Sequence, residues 1–204
     1  MSTTSLNTLQ AAGSSADAIR LPLRFDPDAL RADLERVPDE RWIRHFVESN
    51  YEGDWSGVAL RGPANVTHPI QELFANPGTE AWENTSLYDE CPYFAEVMSA
   101  FQCDLLSVRL LRLGPGSIIK EHVDHSLSLE DAEVRLHVPV QTNADIKFWL
   151  NDKQIPLQAG ETWYLNVNRP HRVENNSNEY RVHLVLDCAI NSWLREQVGS
   201  TLPK

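Results

Sequence analysis

Two histidines and an aspartate carry the sharpest chemical signal in the chain. His122-Val123-Asp124 lies in a β-type run. On a strand, residues i and i+2 point to one face, about 6–7 Å apart along the backbone. An imidazole and a carboxylate would then project together, which suits two adjacent positions on a metal ion. His171 follows Pro170 at the start of a later run and offers a third ligand. Two imidazoles and one carboxylate on one face leave three positions open, the arrangement that holds Fe(II) in oxygenases. A surface cluster of polar residues is the alternative for so short a pattern.

Basic residues weigh on that choice. In the run 133–142, Arg135 and His137 share a face with Pro139, and Val134, Leu136, Val138 and Val140 share the other. In the run 180–187, Arg181, His183, Val185 and Asp187 face one way, and Tyr180, Val182, Leu184 and Leu186 the other. On an open sheet these polar faces would be solvated. In a closed roll they would point inward, where a guanidinium is costly without an anion. A hairpin centred on Ser177 would pair His171 with His183 and Val173 with Arg181, setting Arg181 beside His171 on one face. Guanidinium grips carboxylate in bidentate fashion, so this register predicts an anionic co-substrate reaching from the metal. Arg109 and Arg112 lie on opposite faces of their run, so at most one points inward. His125 faces away from His122. His45 and His68, in the helical and loop region, are expected to be structural or exposed.

The frame for these residues is legible from periodicity. From Leu105 onward, β-type runs alternate with turn residues over 105–113, 118–124, 133–142, 145–150, 154–157, 162–166, 171–175 and 180–187. Spacing of about 8–12 residues between turn signals fits a sandwich or barrel, and the upstream helices suggest a jelly roll covered on its outer face. Asp26-Pro27 is a helix start with an N-cap carboxylate and a first-turn proline. Leu30, Leu34 and Val37 give that helix one apolar face, and Pro38 stops it. Further helices are expected over 41–48, 93–101 and 189–198, with loops and short strands over 50–90. The predicted organisation is a flexible leader (1–20) and a single domain (21–204). That domain comprises a helical and loop half (21–104), a jelly-roll half (105–188) and a closing helix (189–198).

Composition excludes some functions. The 204 residues are 42% hydrophobic and 23% charged, enough for one domain with a full core. Lys plus Arg number 18 against 29 Asp plus Glu, a net charge of -11, which repels nucleic acid. No apolar run of about 18 residues predicts a membrane span. The N-terminus lacks the basic start and apolar block of a signal peptide. Cys91, Cys103 and Cys188 have no ligand-type spacing and read as reduced thiols of a cytoplasmic protein.

Taken together, the motifs resemble a known family. Gly114-Pro115-Gly116, Glu121-His122-Val123-Asp124, Glu133-Val134-Arg135-Leu136-His137-Val138-Pro139, Gly160-Glu161-Thr162-Trp163-Tyr164, Pro170-His171-Arg172-Val173 and Tyr180-Arg181-Val182-His183-Leu184 occur in the order found in the aspartyl/asparaginyl β-hydroxylases. The resemblance covers about Tyr51 to Cys188 and is densest from Leu110. It implies a mainly β fold, the cupin-like double-stranded β-helix, with N-terminal helices packed on the outer sheet face and a short C-terminal helix. It implies a non-haem Fe(II) dioxygenase that consumes 2-oxoglutarate and dioxygen and hydroxylates an unactivated C–H of an aspartyl- or asparaginyl-type side chain in a peptide or protein. A free amino acid or natural-product peptide is the alternative substrate, and a non-catalytic cupin-like metal- or ligand-binding module is the alternative function. By the same resemblance His122, Asp124 and His171 bind metal, and Arg181 and His137 hold 2-oxoglutarate. Arg135 lies beside His137, where family members contact the co-substrate or the substrate's acidic group, and is the first choice for substrate binding; Trp163 is a further substrate-binding candidate from its place in the β half. Phe148, Trp149 and Tyr164 are further candidates to line or support the cavity.

Overall fold

The computed structural model describes residues 17–74 and 79–199. The chain runs β1 (Ala18–Arg24), α1 (Pro27–Leu34), β2 (Ile43–Arg44), β3 (Tyr51–Glu52), β4 (Trp55–Pro63), α2 (Pro69–Glu72), β5 (Trp82–Asn84), α3 (Ser86–Glu90) and α4 (Pro92–Ser99). It continues through β6 (Leu105–Leu113), β7 (Ile118–His122), β8 (Glu133–Gln141), β9 (Ile146–Leu150), β10 (Lys153–Ile155), β11 (Glu161–Leu165), β12 (His171–Asn175), β13 (Arg181–Ala189) and α5 (Ser192–Gly199).

Two antiparallel sheets form the roll. The larger has the order β1-β11-β8-β13-β6-β4-β2, with β5 also on β4; the smaller has β10-β9-β12-β7-β3. This is the jelly roll that the strand spacing implies. The alternation of β8 and β13 decides what lies on each side of the larger sheet. Val134, Leu136, Val138 and Val140, with Val182, Leu184 and Leu186, join the main core beside Leu30, Phe94, Val97 and Leu194 of the helices. Arg135, His137, Arg181 and Val185, on the opposite faces, line a cavity inside the roll. A smaller cluster containing Trp55, Leu113, Phe148, Leu150 and Val173 fills the space between the sheets.

Local chemistry fixes the helices on the outer face. Asp26 caps α1 by accepting from the Asp28 N–H at 2.9 Å. The buried Asp33 carboxylate accepts from the Tyr93 and Phe94 N–H groups at 2.6 and 2.9 Å, binding α1 to the positive N-terminal end of α4. Gly160 has φ +76°, and a Cβ there would lie 2.1 Å from the Phe25 carbonyl oxygen. This turn therefore needs glycine to let β1 pass closely.

Three expectations are corrected. Residues 41–48 form no helix: strand β2 pairs there with Ser56 and Gly57 of β4, between two single 3-10 turns. Order begins before Leu21, because Ile19 and Leu21 are buried and β1 pairs with β11 from Ala18. The proposed leader otherwise lies outside the described residues. The third correction is the Ser177 hairpin: β12 and β13 belong to different sheets. His171 pairs with His122 and Leu150, whereas His183 pairs with Leu111 and Pro139. Asn175 makes the crossing possible, its side-chain amide donating to the carbonyls of Leu113, Gly114 and Glu179 at 2.8–3.0 Å. Among the described residues, no helix is long and apolar enough to cross a membrane.

Candidate metal centre

His122 ends β7 and His171 begins β12, and the two are partners in the strand register. Their rings lie 4.1 Å apart between centroids. Asp124 follows β7 and is anchored by its N–H, which donates to the Val167 carbonyl at 2.9 Å. One donor atom from each of His122, Asp124 and His171 lies within 4.8 Å of the others. The sequence pattern alone could not distinguish this convergence from a scattered polar surface.

Both histidines have their tautomers set by backbone. His122 Nδ1 lies 2.8 Å from the Lys120 carbonyl oxygen, and His171 Nδ1 lies 3.0 Å from that of Arg169. A carbonyl can only accept, so each Nδ1 carries a proton and Nε2 is the ring nitrogen left to face a metal. Burial and the neighbouring His122 push His171 down to about 4, which keeps it neutral. Burial opposes the charge of Asp124, yet the Arg135 guanidinium and His171 hold its carboxyl below the usual value. Two imidazoles and one carboxylate form a donor set that suits Fe(II).

Arg135 contacts this set directly. Its Nη1 donates to Asp124 Oδ2, while Nε and Nη2 grip the two oxygens of Asp187 at 2.7 and 3.0 Å. Arg109 donates to the same Asp187 at 2.5 Å and to the Leu73 carbonyl at 3.1 Å, leaving its buried Nε without a partner. Of the Arg109 and Arg112 pair it is thus Arg109 that reaches the cavity. Arg112 instead stacks on Trp42 and Tyr180 and pairs with Asp39.

Arg181 is 3% exposed and has no acidic partner among the described residues. Burial pushes its pKa down from the usual arginine value. Its Nη2 donates to His183 Nδ1 at 2.8 Å, and that nitrogen lies 3.4 Å from His137 Nδ1. Burial and the charge of Arg181 hold both histidines well below their ordinary range. The His137 Nε2 is buried without a partner. Phe148 stacks on His171 with an interplanar angle of 11° and meets His137 edge-on. His137 and Phe148 therefore lie between the donor set and Arg181.

The triad, Arg135, His137 and Arg181 line one cavity of about 460 Å³. Trp163 does not line it: its indole N–H donates to Glu161 at 2.7 Å. Tyr164 is buried in the outer core, and Trp149 lies beneath Arg172. His125 is exposed on the rim, and His68 caps α2. The outer wall was missed from sequence. His45 is stacked between Trp55, at 3.6 Å, and Phe46, at 4.8 Å, and Phe74 stands edge-on to Phe46. These rings come from segments without clear periodicity. The pattern His45-Phe46 followed by Trp55 was the available signal.

Comparisons with known proteins agree with this architecture. A curated relative, the L-proline cis-4-hydroxylase of Rhizobium meliloti (strain 1021), is 27% identical over 167 residues, covering 81% of this chain and 58% of the relative. The chain therefore spans little more than half of that protein's length. Among solved structures, a 2OG-Fe(II) oxygenase family oxidoreductase from Burkholderia pseudomallei aligns with a TM-score of 0.55 at 13% identity, over 85% of this chain and 84% of that one. A Pseudomonas putida prolyl-4-hydroxylase aligns with a TM-score of 0.52 at 12% identity, over 87% and 95%. These likenesses bear on the fold. The aspartyl/asparaginyl β-hydroxylase family model matches residues 25–190, so the chain belongs to the aspartyl/asparaginyl β-hydroxylase family.

Proposed function

We propose that the protein is an Fe(II)- and 2-oxoglutarate-dependent dioxygenase that hydroxylates an unactivated C–H of an amino acid or peptide. The observation that carries this reading is a single cavity holding both the His122–Asp124–His171 donor set and a buried guanidinium, Arg181, with no anionic partner among the described residues. A bare metal-binding cupin-like module has no need for that cation, and turnover separates the enzyme from a ligand-binding module.

His122, Asp124 and His171 would hold Fe(II). When bound, iron and 2-oxoglutarate supply the activation of dioxygen and the oxidising power for C–H hydroxylation. Arg181 binds the distal carboxylate of the co-substrate. His137 offers its unpartnered Nε2 edge to the co-substrate between Arg181 and the metal ligands. Arg135 fixes the rotamer of Asp124. Phe148 and the stacked His45–Trp55 pair give the cavity an aromatic wall.

For the substrate, family membership supports an aspartyl or asparaginyl side chain in a peptide. The similarity to an L-proline hydroxylase supports a free amino acid. An aspartyl side chain or a free amino acid presents a carboxylate, and Arg109, which lines the cavity while paired with Asp187, is the candidate cation for it. Arg135, already held by two carboxylates, would act on the substrate through that shared network. The deciding experiment measures substrate-dependent succinate release across free amino acids and Asp- or Asn-containing peptides. Release with peptides alone selects the first reading and release with free amino acids the second. No release with any substrate, despite bound iron and co-substrate, would refute both.

A further inference from the structure

A second cavity of about 440 Å³ meets Arg181 alongside the metal-lined one. Arg181 and Phe148 line both cavities, and His183 lines only the second. Its walls are the turn between β8 and β9, with Thr142, Asn143 and Ala144, strand β10, with Gln154, and the link between β10 and β11, with Gln158. Ala144, Gln154 and Gln158 are exposed, whereas Phe148, Arg181 and His183 are buried. The cavity therefore has a solvent-facing rim and a cationic floor.

Its chemistry is selective. No lining residue is acidic. Asp145 stands between the lining residues Ala144 and Ile146 but does not itself line the cavity; Glu179 accepts from Asn143 at 3.2 Å, and Glu161 is engaged by Arg20, Arg24 and Trp163. In a chain of net charge -11, a passage with amide donors and one uncompensated guanidinium favours a small dianion over the surrounding surface. Arg181 has donors beyond the Nη2 bond to His183, because a guanidinium carries five N–H groups.

We propose that this second cavity is the entrance for small dicarboxylates: 2-oxoglutarate reaches Arg181 through it, and succinate leaves by it, while the prime substrate uses the metal-lined mouth. The proposal rests on the 2-oxoglutarate reading above. Its consequence is kinetic: co-substrate and succinate exchange while the prime substrate stays bound.

The test is stopped-flow association and dissociation of 2-oxoglutarate with the Fe(II)-loaded protein under anaerobic conditions, followed by the visible charge-transfer band. Ala144→Trp and Gln158→Trp narrow the second mouth from two independent exposed positions; Val47→Trp narrows the metal-lined mouth. A gate slows entry and exit equally. Both second-mouth variants should therefore lose about tenfold in each rate constant, with Kd unchanged to within about twofold, and Val47→Trp should leave both rates unchanged. Unchanged rates in both second-mouth variants, a loss of affinity in place of speed, or slowing confined to Val47→Trp would overturn the entrance. If the wild-type protein gives no band, the functional reading itself fails. A normal band with unaltered variant rates removes only the entrance.

Discussion

Arg135 donates to Asp124 from the end of its guanidinium while the same group grips Asp187. The carboxylate of the donor set is thus oriented by a side chain that is itself fixed on β8. Replacing Arg135 with Met frees Asp124 to rotate and removes the charge that keeps it ionised. Metal affinity should fall by about 10–100-fold, the range for lost partners of metal-binding side chains. Titration of the metal-free variant with Fe(II) or Co(II) measures it, and unchanged affinity would show that Asp124 needs no such support.

Asp187 balances two guanidiniums, Arg109 and Arg135, at 1% exposure. Burial opposes its charge, but the two arginines hold its carboxyl below the ordinary value. Asp187→Asn leaves both cations in the interior with Asp124 as their nearest carboxylate. The expected loss is about 3–5 kcal/mol of unfolding free energy, as for a broken buried pair. Urea denaturation of the ligand-free protein reads it directly.

The opposite outcome is expected at Arg181. Its charge is buried with no anion when co-substrate is absent, so Arg181→Met should stabilise the ligand-free protein by about 1–4 kcal/mol. The same variant should lose 2-oxoglutarate binding. Wild-type stability should rise by about 2.7 kcal/mol at co-substrate concentrations near 100 times Kd, and the variant should show no such rise. A destabilised Arg181→Met would mean that the guanidinium has a role in holding the fold.

The roll was legible because its strands carry two consistent signals, alternation and turn chemistry. Val134 to Val140 and Val182 to Leu186 bury their apolar faces outward, under the helices, so the opposing Arg, His and Asp side chains had to enter the roll. His122, Asp124 and His171 were legible as candidates because one spacing and one proline-led strand start marked them. The register between β12 and β13 was not. A short Ser/Asn turn reads as a hairpin, and only Asn175, satisfying three carbonyls from outside its own strand, reveals the crossing between sheets. His45 was illegible for another reason. Its place in the cavity wall depends on stacking against Trp55 across the β2–β4 pairing, and two-residue strands leave almost no periodic trace.

That stacked histidine adds to the pH response of the fold, alongside His137, His171 and His183, which burial also pushes down. Burial, followed by the charge of Arg109, pushes His45 down to about 4, whereas an unfolded histidine titrates near 6.5. Between those values the unfolded chain binds a proton that the folded protein refuses, so stability falls as pH drops through that window and levels off below about 4. His45→Phe keeps an aromatic ring between Trp55 and Phe46 and removes the titration. Unfolding free energies measured at intervals from pH 4 to 7 should therefore show a shallower slope in the variant, with the two curves converging in shape above pH 7. Equal slopes would place the His45 proton in the folded protein and leave the acid sensitivity to the other buried histidines and the carboxylates.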